Sequence, residues 1–220
     1  MSDLRYQLLP NRPVEQADVL VLPLPHEQTV SYKPGTRRGP EAILQATEQL
    51  EYYDADAGWS PFRQMGVCVL PALEKQLYEG SLEYHVRAAG HRLILAGVRS
   101  LLDAEADRIE QDPDIECHLA RDLRRADAWQ QLVTRLRRLQ GPVWLTVDMD
   151  VFNPAEVPGV GTPQPGGLGW YDVLELVEAV LGAPEADVRG CDIVELIPEP
   201  SCISDMAAAR LSQRMISAWG

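Results

Sequence analysis

With 220 residues, 45% of them apolar and 24% charged, the chain has the length and composition of one globular domain with a full core. Its net charge of −13 excludes nucleic acid and anionic membranes as partners, because both select clustered lysine and arginine. No 18-residue apolar stretch and no N-terminal apolar leader occurs, so neither membrane insertion nor export is expected.

In chain order, strands and helices alternate. Residues 18–24 (DVLVLPL) read as a first strand. Gly39-Pro40 then opens a helix, since proline in the first turn lacks only an amide that has no partner anyway, and Ile43, Leu44 and Leu50 supply its apolar face. Residues 65–71 (MGVCVLP) are a second strand; a helix over 81–89 leads into a third at 92–98 (RLILAGV). A short acidic helix follows over 103–111, and 115–119 (IECHL) form an edge strand. From 127 to 139, Trp129, Leu132, Val133, Leu136 and Leu139 keep helical spacing, with Arg135, Arg137 and Arg138 solvated, until Gly141-Pro142 stops the helix. Val143 to Val147 is an apolar run suited to a buried parallel strand. A helix over 170–181 ends at Gly182, residues 188–196 form the last strand, and Ser204 or Asp205 caps a final helix. The pattern predicts an α/β fold: a three-layer α/β/α sandwich on a mostly parallel sheet of about six strands.

The most informative stretch is VWLTVDMDVFNPAEVPGVGTPQPGGL, Val143 to Leu168. Asp148 and Asp150 stand two apart at a strand end, which puts both side chains on one face, roughly 7 Å between α-carbons. Like charges so placed repel unless a cation or water separates them, and hard divalent ions are held this way at the carboxyl edge of α/β sheets. Alternatively, the two carboxylates only accept amides of the irregular loop that follows. A third reading, the Asp-x-Asp nucleophile of haloacid-dehalogenase-like phosphatases, fits WLTVDMDVF alone. The residues after Asp150 contain no lysine, and the Gly/Pro loop has no counterpart there.

These residues resemble the ureohydrolases (arginase, agmatinase and relatives), in which a strand ends Asp-x-Asp before Asp-Pro and a Pro-Gly-x-Gly-Thr-Pro loop closed by Gly-Gly-Leu. Asp148, Asp150, Pro154, the run Pro158 to Pro163 and Gly166 to Leu168 match, while Asn153 replaces the usual third Asp. Thr29 to Ile43, Gly97 to Ile109 and Cys191 to Ser201 are similar to further elements of that family. The resemblance implies that Asp148 and Asp150 are metal ligands, that Asp148 and Glu195 carry catalysis, and that Glu195 meets the substrate guanidinium.

Four of the six metal ligands implied by the resemblance lie in Gly-Asp-His and Asp-Ala-His-x-Asp motifs, and neither motif occurs here. The four histidines, at positions 26, 85, 91 and 118, stand in other contexts. His85 reads as a surface residue, His91 as a cap on helix carbonyls, and Asp54 and Asp56 as a solvated helix end. Arg99 sits at a strand end, binding an anion or pairing within the fold. Chain 1–220 is therefore expected to be one arginase/agmatinase-like domain with an internal deletion between about 70 and 97. Two carboxylates leave room for at most one weakly held manganese, too little for the two-metal hydroxide of ureohydrolysis. Expected roles are a non-catalytic homologue that assembles with itself or with a complete ureohydrolase, a residual C–N hydrolase with an intersubunit metal, or a binder of guanidino or polyamine cations. Cys68, Cys117, Cys191 and Cys202 form no Cys-x-x-Cys pair and read as reduced thiols of a cytoplasmic protein.

Overall fold

The computed structural model describes residues 4–27, 32–72 and 92–220. The expected helix over 81–89, His85 and His91 lie outside these. In order the elements are β1 (Val19–Val21), α1 (Gly39–Thr47), β2 (Val67–Val69), β3 (Leu93–Val98), α2 (Asp103–Gln111), β4 (Ile115–Leu119), α3 (Ala120–Leu123), α4 (Ala126–Leu136), β5 (Gln140–Asp148), α5 (Trp170–Leu181), β6 (Glu185–Val194) and α6 (Ile203–Trp219).

All six expected strands are present and pair in parallel, but they are hydrogen-bonded as three separate pairs: β1–β2, β3–β4 and β5–β6. The β5–β6 pair is the longest, running from Gln140 opposite Glu185 to Asp148 opposite Val194. The β1–β2 side approaches β6 through Gly35 and Gly39, which abut Ile197 and Leu196. The β3–β4 side approaches β5 through Gly97, which abuts Val151. Both approaches lie at the carboxyl ends of the strands.

One face of the β5–β6 pair carries the main core. Val143, Leu145, Val147, Val188 and Ile193 meet Leu132, Val133 and Leu136 of α4, seven buried side chains of α5, and Ala208, Leu211 and Met215 of α6. Each fully buried Leu or Val in such a face contributes about 1.5–3 kcal/mol relative to exposure. A second cluster joins Tyr6, Leu44, Phe62, Val67, Val69 and Ile216.

The expectation that Val143 to Val147 is buried throughout holds for one face only. Trp144 is 59% exposed, Thr146 is exposed, and Leu20 of β1 is 50% exposed. The strand is half-buried because alternation sends these side chains away from α4, α5 and α6. Gly141-Pro142 does not stop the preceding helix, which ends at Leu136; both residues belong to β5. Proline is tolerated there because, among the described residues, β5 is hydrogen-bonded to a strand on one edge only.

Asp54 and Asp56 do not form a solvated helix end. Asp54 is fully buried, its carboxylate held by Arg214 at 2.8 Å and Arg210 at 2.9 Å, and it accepts the amides of Asp56 and Ala57. Asp56 pairs with Arg210 at 3.0 Å, and Arg214 also pairs with Glu178. Two arginines one helical turn apart on α6 thus draw the segment after α1 into the core.

Candidate active site

The site forms where β5 ends. Asp148 Oδ1 accepts the backbone N–H of Asp150 at 3.0 Å, turning the chain into a single 3₁₀ turn over Met149–Val151. The Gly/Pro loop then folds back on itself. Asn153 N donates to Leu168 O at 2.8 Å and Leu168 N to Val151 O at 2.9 Å, and Asn153 Oδ1 accepts the Ala155 amide. Ser204 does not cap the last helix: α6 starts one residue earlier, after Cys202 in a left-handed conformation, and the buried Ser204 hydroxyl accepts the Gly159 amide at 2.7 Å. Ile197 N donates to Gly159 O at 2.8 Å, so loop, β6 end and α6 are tied at one point.

Gly167 is required for space. A β-carbon on it would stand 2.3 Å from Phe152 O and 2.5 Å from Phe152 C, both backbone atoms, whereas one on neighbouring Gly166 would meet nothing within 4 Å. Gly167→Ala is expected to cost about 1–3 kcal/mol by overpacking. Gly166→Ala, at φ +83, should cost only about 1 kcal/mol of backbone strain. Chemical denaturation of the two variants side by side measures the difference.

Three carboxyls and one guanidinium meet at this edge. Asp150 Oδ2 accepts the Thr162 hydroxyl at 3.0 Å, and its Oδ1 faces the Arg99 guanidinium at 3.6 Å. Arg99, 10% exposed, also donates to the carbonyls of Gly97 at 2.9 Å and of Asp150. Of its two expected roles, the ion pair within the fold is the one present. Glu195 follows β6 in a left-handed conformation, φ +62, and its Oε2 lies over Gly161, where a β-carbon would be 3.4 Å away.

The electrostatics follow from that crowding. Burial, then the charge of Asp150 and that of Glu195, push Asp148 up to about 7, against the opposing amide of Asp150 and the charge of Arg99. Burial and then Asp150 raise Glu195 in the same direction. The cluster is thus short of positive charge, and a bound cation would relieve it.

The other sequence candidates are elsewhere. His26 is exposed, in the loop after β1. His118 pairs with Glu116 at 2.9 Å, and Arg135 meets the same carboxylate at 3.3 Å. Thr162 is the contributor that sequence reasoning did not single out, although it stood in the Gly-Thr-Pro run. Asp192 was likewise unmarked; burial raises its carboxyl, which accepts the exposed indole N–H of Trp144 at 2.8 Å.

The fit to a metal centre is poor. Among the described residues, no three His, Cys, Asp or Glu side chains are grouped to hold an ion. Asp150 already serves Thr162 and Arg99, and a divalent ion bound to it would stand close to a guanidinium. The donors among the described residues do not meet the roughly six ligands each ion of a pair demands.

Residues 17–83 and 77–217 match the sequence model of the arginase family, in two stretches that meet at 77–83. An N(1)-aminopropylagmatine ureohydrolase of Synechocystis is 28% identical over 279 aligned positions, covering 93% of this chain and 90% of that protein. A hypothetical agmatinase of Burkholderia thailandensis has a similar fold, with a TM-score of 0.79 at 20% identity, covering 98% of this chain and 90% of that one. Trypanosoma cruzi formiminoglutamase, solved with Mn²⁺, gives a TM-score of 0.73 at 14% identity over 97% and 96% of the chains. No helix among the described residues is long and apolar enough to cross a membrane.

Proposed function

Because the chain belongs to the arginase family, we propose that it binds a guanidino or polyamine cation at Asp148, Asp150 and Glu195 without hydrolysing it by a two-metal route. The observation that carries this reading is the donor set. Among the described residues no histidine joins Asp148 and Asp150 in a metal-holding group, and Arg99 and Thr162 occupy Asp150. A guanidinium or ammonium group needs no such ligand shell. It satisfies carboxylates by charge-assisted hydrogen bonds, which suits a cluster short of positive charge.

The internal deletion between about 70 and 97 is part of the same reading. The two family matches meet at 77–83, inside that interval. The Synechocystis comparison runs to 279 positions against a chain of 220 residues, so at least 59 positions, the excess of one over the other, have no residue here. The shortened chain is read as a non-catalytic family member of the cytoplasm, with four unpaired cysteines, acting in assembly with itself or with a complete ureohydrolase.

A second reading is favoured by the 28% identity to a ureohydrolase along nearly the whole chain: a C–N hydrolase whose remaining metal ligands come from another subunit. Elemental analysis of manganese-loaded protein, with an Asp148→Ala control and a urea-release assay on agmatine, separates the two. The expected result is at most one ion per chain, no urea, and an agmatine-dependent rise in melting temperature that Glu195→Gln and Asp148→Ala remove. Two ions per chain, with urea release abolished by Asp148→Ala, establishes the hydrolase instead.

A further inference from the structure

In a parallel sheet an inner strand is bonded along both edges; here, among the described residues, β5 and β6 bond only to each other. On one side, Leu196 and Ile197 just past β6 abut Gly39 and Gly35 of the segment that joins β1 to β2. On the other, Gly97 of β3 abuts Val151 and Arg99 reaches Asp150, both just past the end of β5, while Ile94 and Ala96 of β3 pack against the main core. Among the described residues no strand lies along the outer edges of this central pair, and the N–H and C=O groups there are templates for further strands. Trp144 of β5 and Val194 of β6 are exposed.

The sequence comparison indicates what belongs there. A parallel strand needs a crossover of a dozen or more residues besides itself. The 59 or more positions present in the Synechocystis alignment and absent here are enough for two such units. A strand entering between two others must be free on both edges. Each of the six described strands already has a partner, so a second copy could supply one only by opening a pair of its own.

We propose that the outer edges of the β5–β6 pair take up extended strands from a second, different polypeptide. The strands enter in parallel, apolar on the faces that meet the core. They carry Lys, Arg or His at the carboxyl end, where Asp148, Asp150 and Glu195 stand. The inference rests on the deletion reading given above.

Residue-resolved hydrogen exchange on the full chain tests it, alone and with a purified peptide comprising the segment of the Synechocystis relative that has no counterpart here. In the chain alone, β5 and β6 amides outside their mutual ladder should exchange at least about 100-fold faster than those within it. The peptide, but not its scrambled form, should slow them by at least about tenfold. Equal protection of both sets in the chain alone means that its own residues fill the gaps and overturns the proposal, as does exchange unchanged by the peptide. Calorimetry with agmatine on the same samples reports the cation site separately: strand uptake can fail while agmatine still binds, and agmatine binding can fail while the edges still become protected.

Discussion

Replacing Asp148 with asparagine is expected to stabilise the protein at pH 8 and to leave it almost unchanged at pH 4. Burial, reinforced by Asp150 and Glu195, holds Asp148 at about 7, while an unfolded carboxyl titrates near 3.9. Between those values the folded chain keeps a proton that the unfolded chain has released. Stability from this group is therefore undiminished below about pH 4, falls as the pH rises toward 7, and is lowest and level above it. The amide has no charge to bury, and its oxygen can still accept the Asp150 N–H that Oδ1 accepts at 3.0 Å. A rise from about 3.9 to about 7 corresponds to roughly 4 kcal/mol. Water reaching this incompletely buried group lowers that to about 2–3 kcal/mol, or roughly 5–10 °C in melting temperature for a chain of this size. Thermal denaturation at pH 4, 6 and 8 checks it, and a difference independent of pH would show that Asp148 is not the strained group. The gain in stability should coincide with weaker cation binding, since the site's need for positive charge is what the substitution removes.

Arg214→Met should act in the opposite direction and more strongly, costing about 3–5 kcal/mol, because it strips a buried carboxylate of its closest partner. Arg214 is 5% exposed and Asp54 fully buried, 2.8 Å apart. Burial alone would raise Asp54, but Arg214, Ser217, the Ala57 amide and Arg210 together outweigh it and hold the carboxyl below its ordinary range. Its contribution is accordingly present above about pH 4 and is lost as acid protonates the folded carboxylate. Adding Asp54→Asn to Arg214→Met should recover part of the loss, since no unpaired charge is then left in the core. Urea denaturation of the two single variants and the double variant gives the coupling directly. A double variant as unstable as the sum of the singles would mean that the two residues act independently.

The aspartate pair of the proposed cation site was legible in the sequence because its signal is local. Asp-x-Asp at the end of an apolar strand, and a loop whose prolines and glycines forbid helix or strand, need no long-range information. Glu195 was legible only through the resemblance of Cys191 to Ser201 to a family element. The boundary of the helix before β5 was less so. Gly141-Pro142 has the composition of a stop signal, but a strand that is bonded on one edge among the described residues accepts both. Asp54 was misread because a run of tyrosines, aspartates and glycine is polar by composition. What buries it are two arginines about 160 positions later in the chain.

By itself, then, the sequence determined the α/β alternation, the arginase-family resemblance, the positions of Asp148 and Asp150, and the absence of Gly-Asp-His and Asp-Ala-His-x-Asp motifs. All of these depend on side-chain periodicity and on residues within a few positions of one another. Only the tertiary structure decided that six strands bond as three pairs, that Arg99 and Thr162 hold Asp150, and that Asp148 retains a proton toward neutral pH. Strand pairing and electrostatic crowding are sums over groups far apart in the chain, and no local pattern encodes which edges and which charges meet.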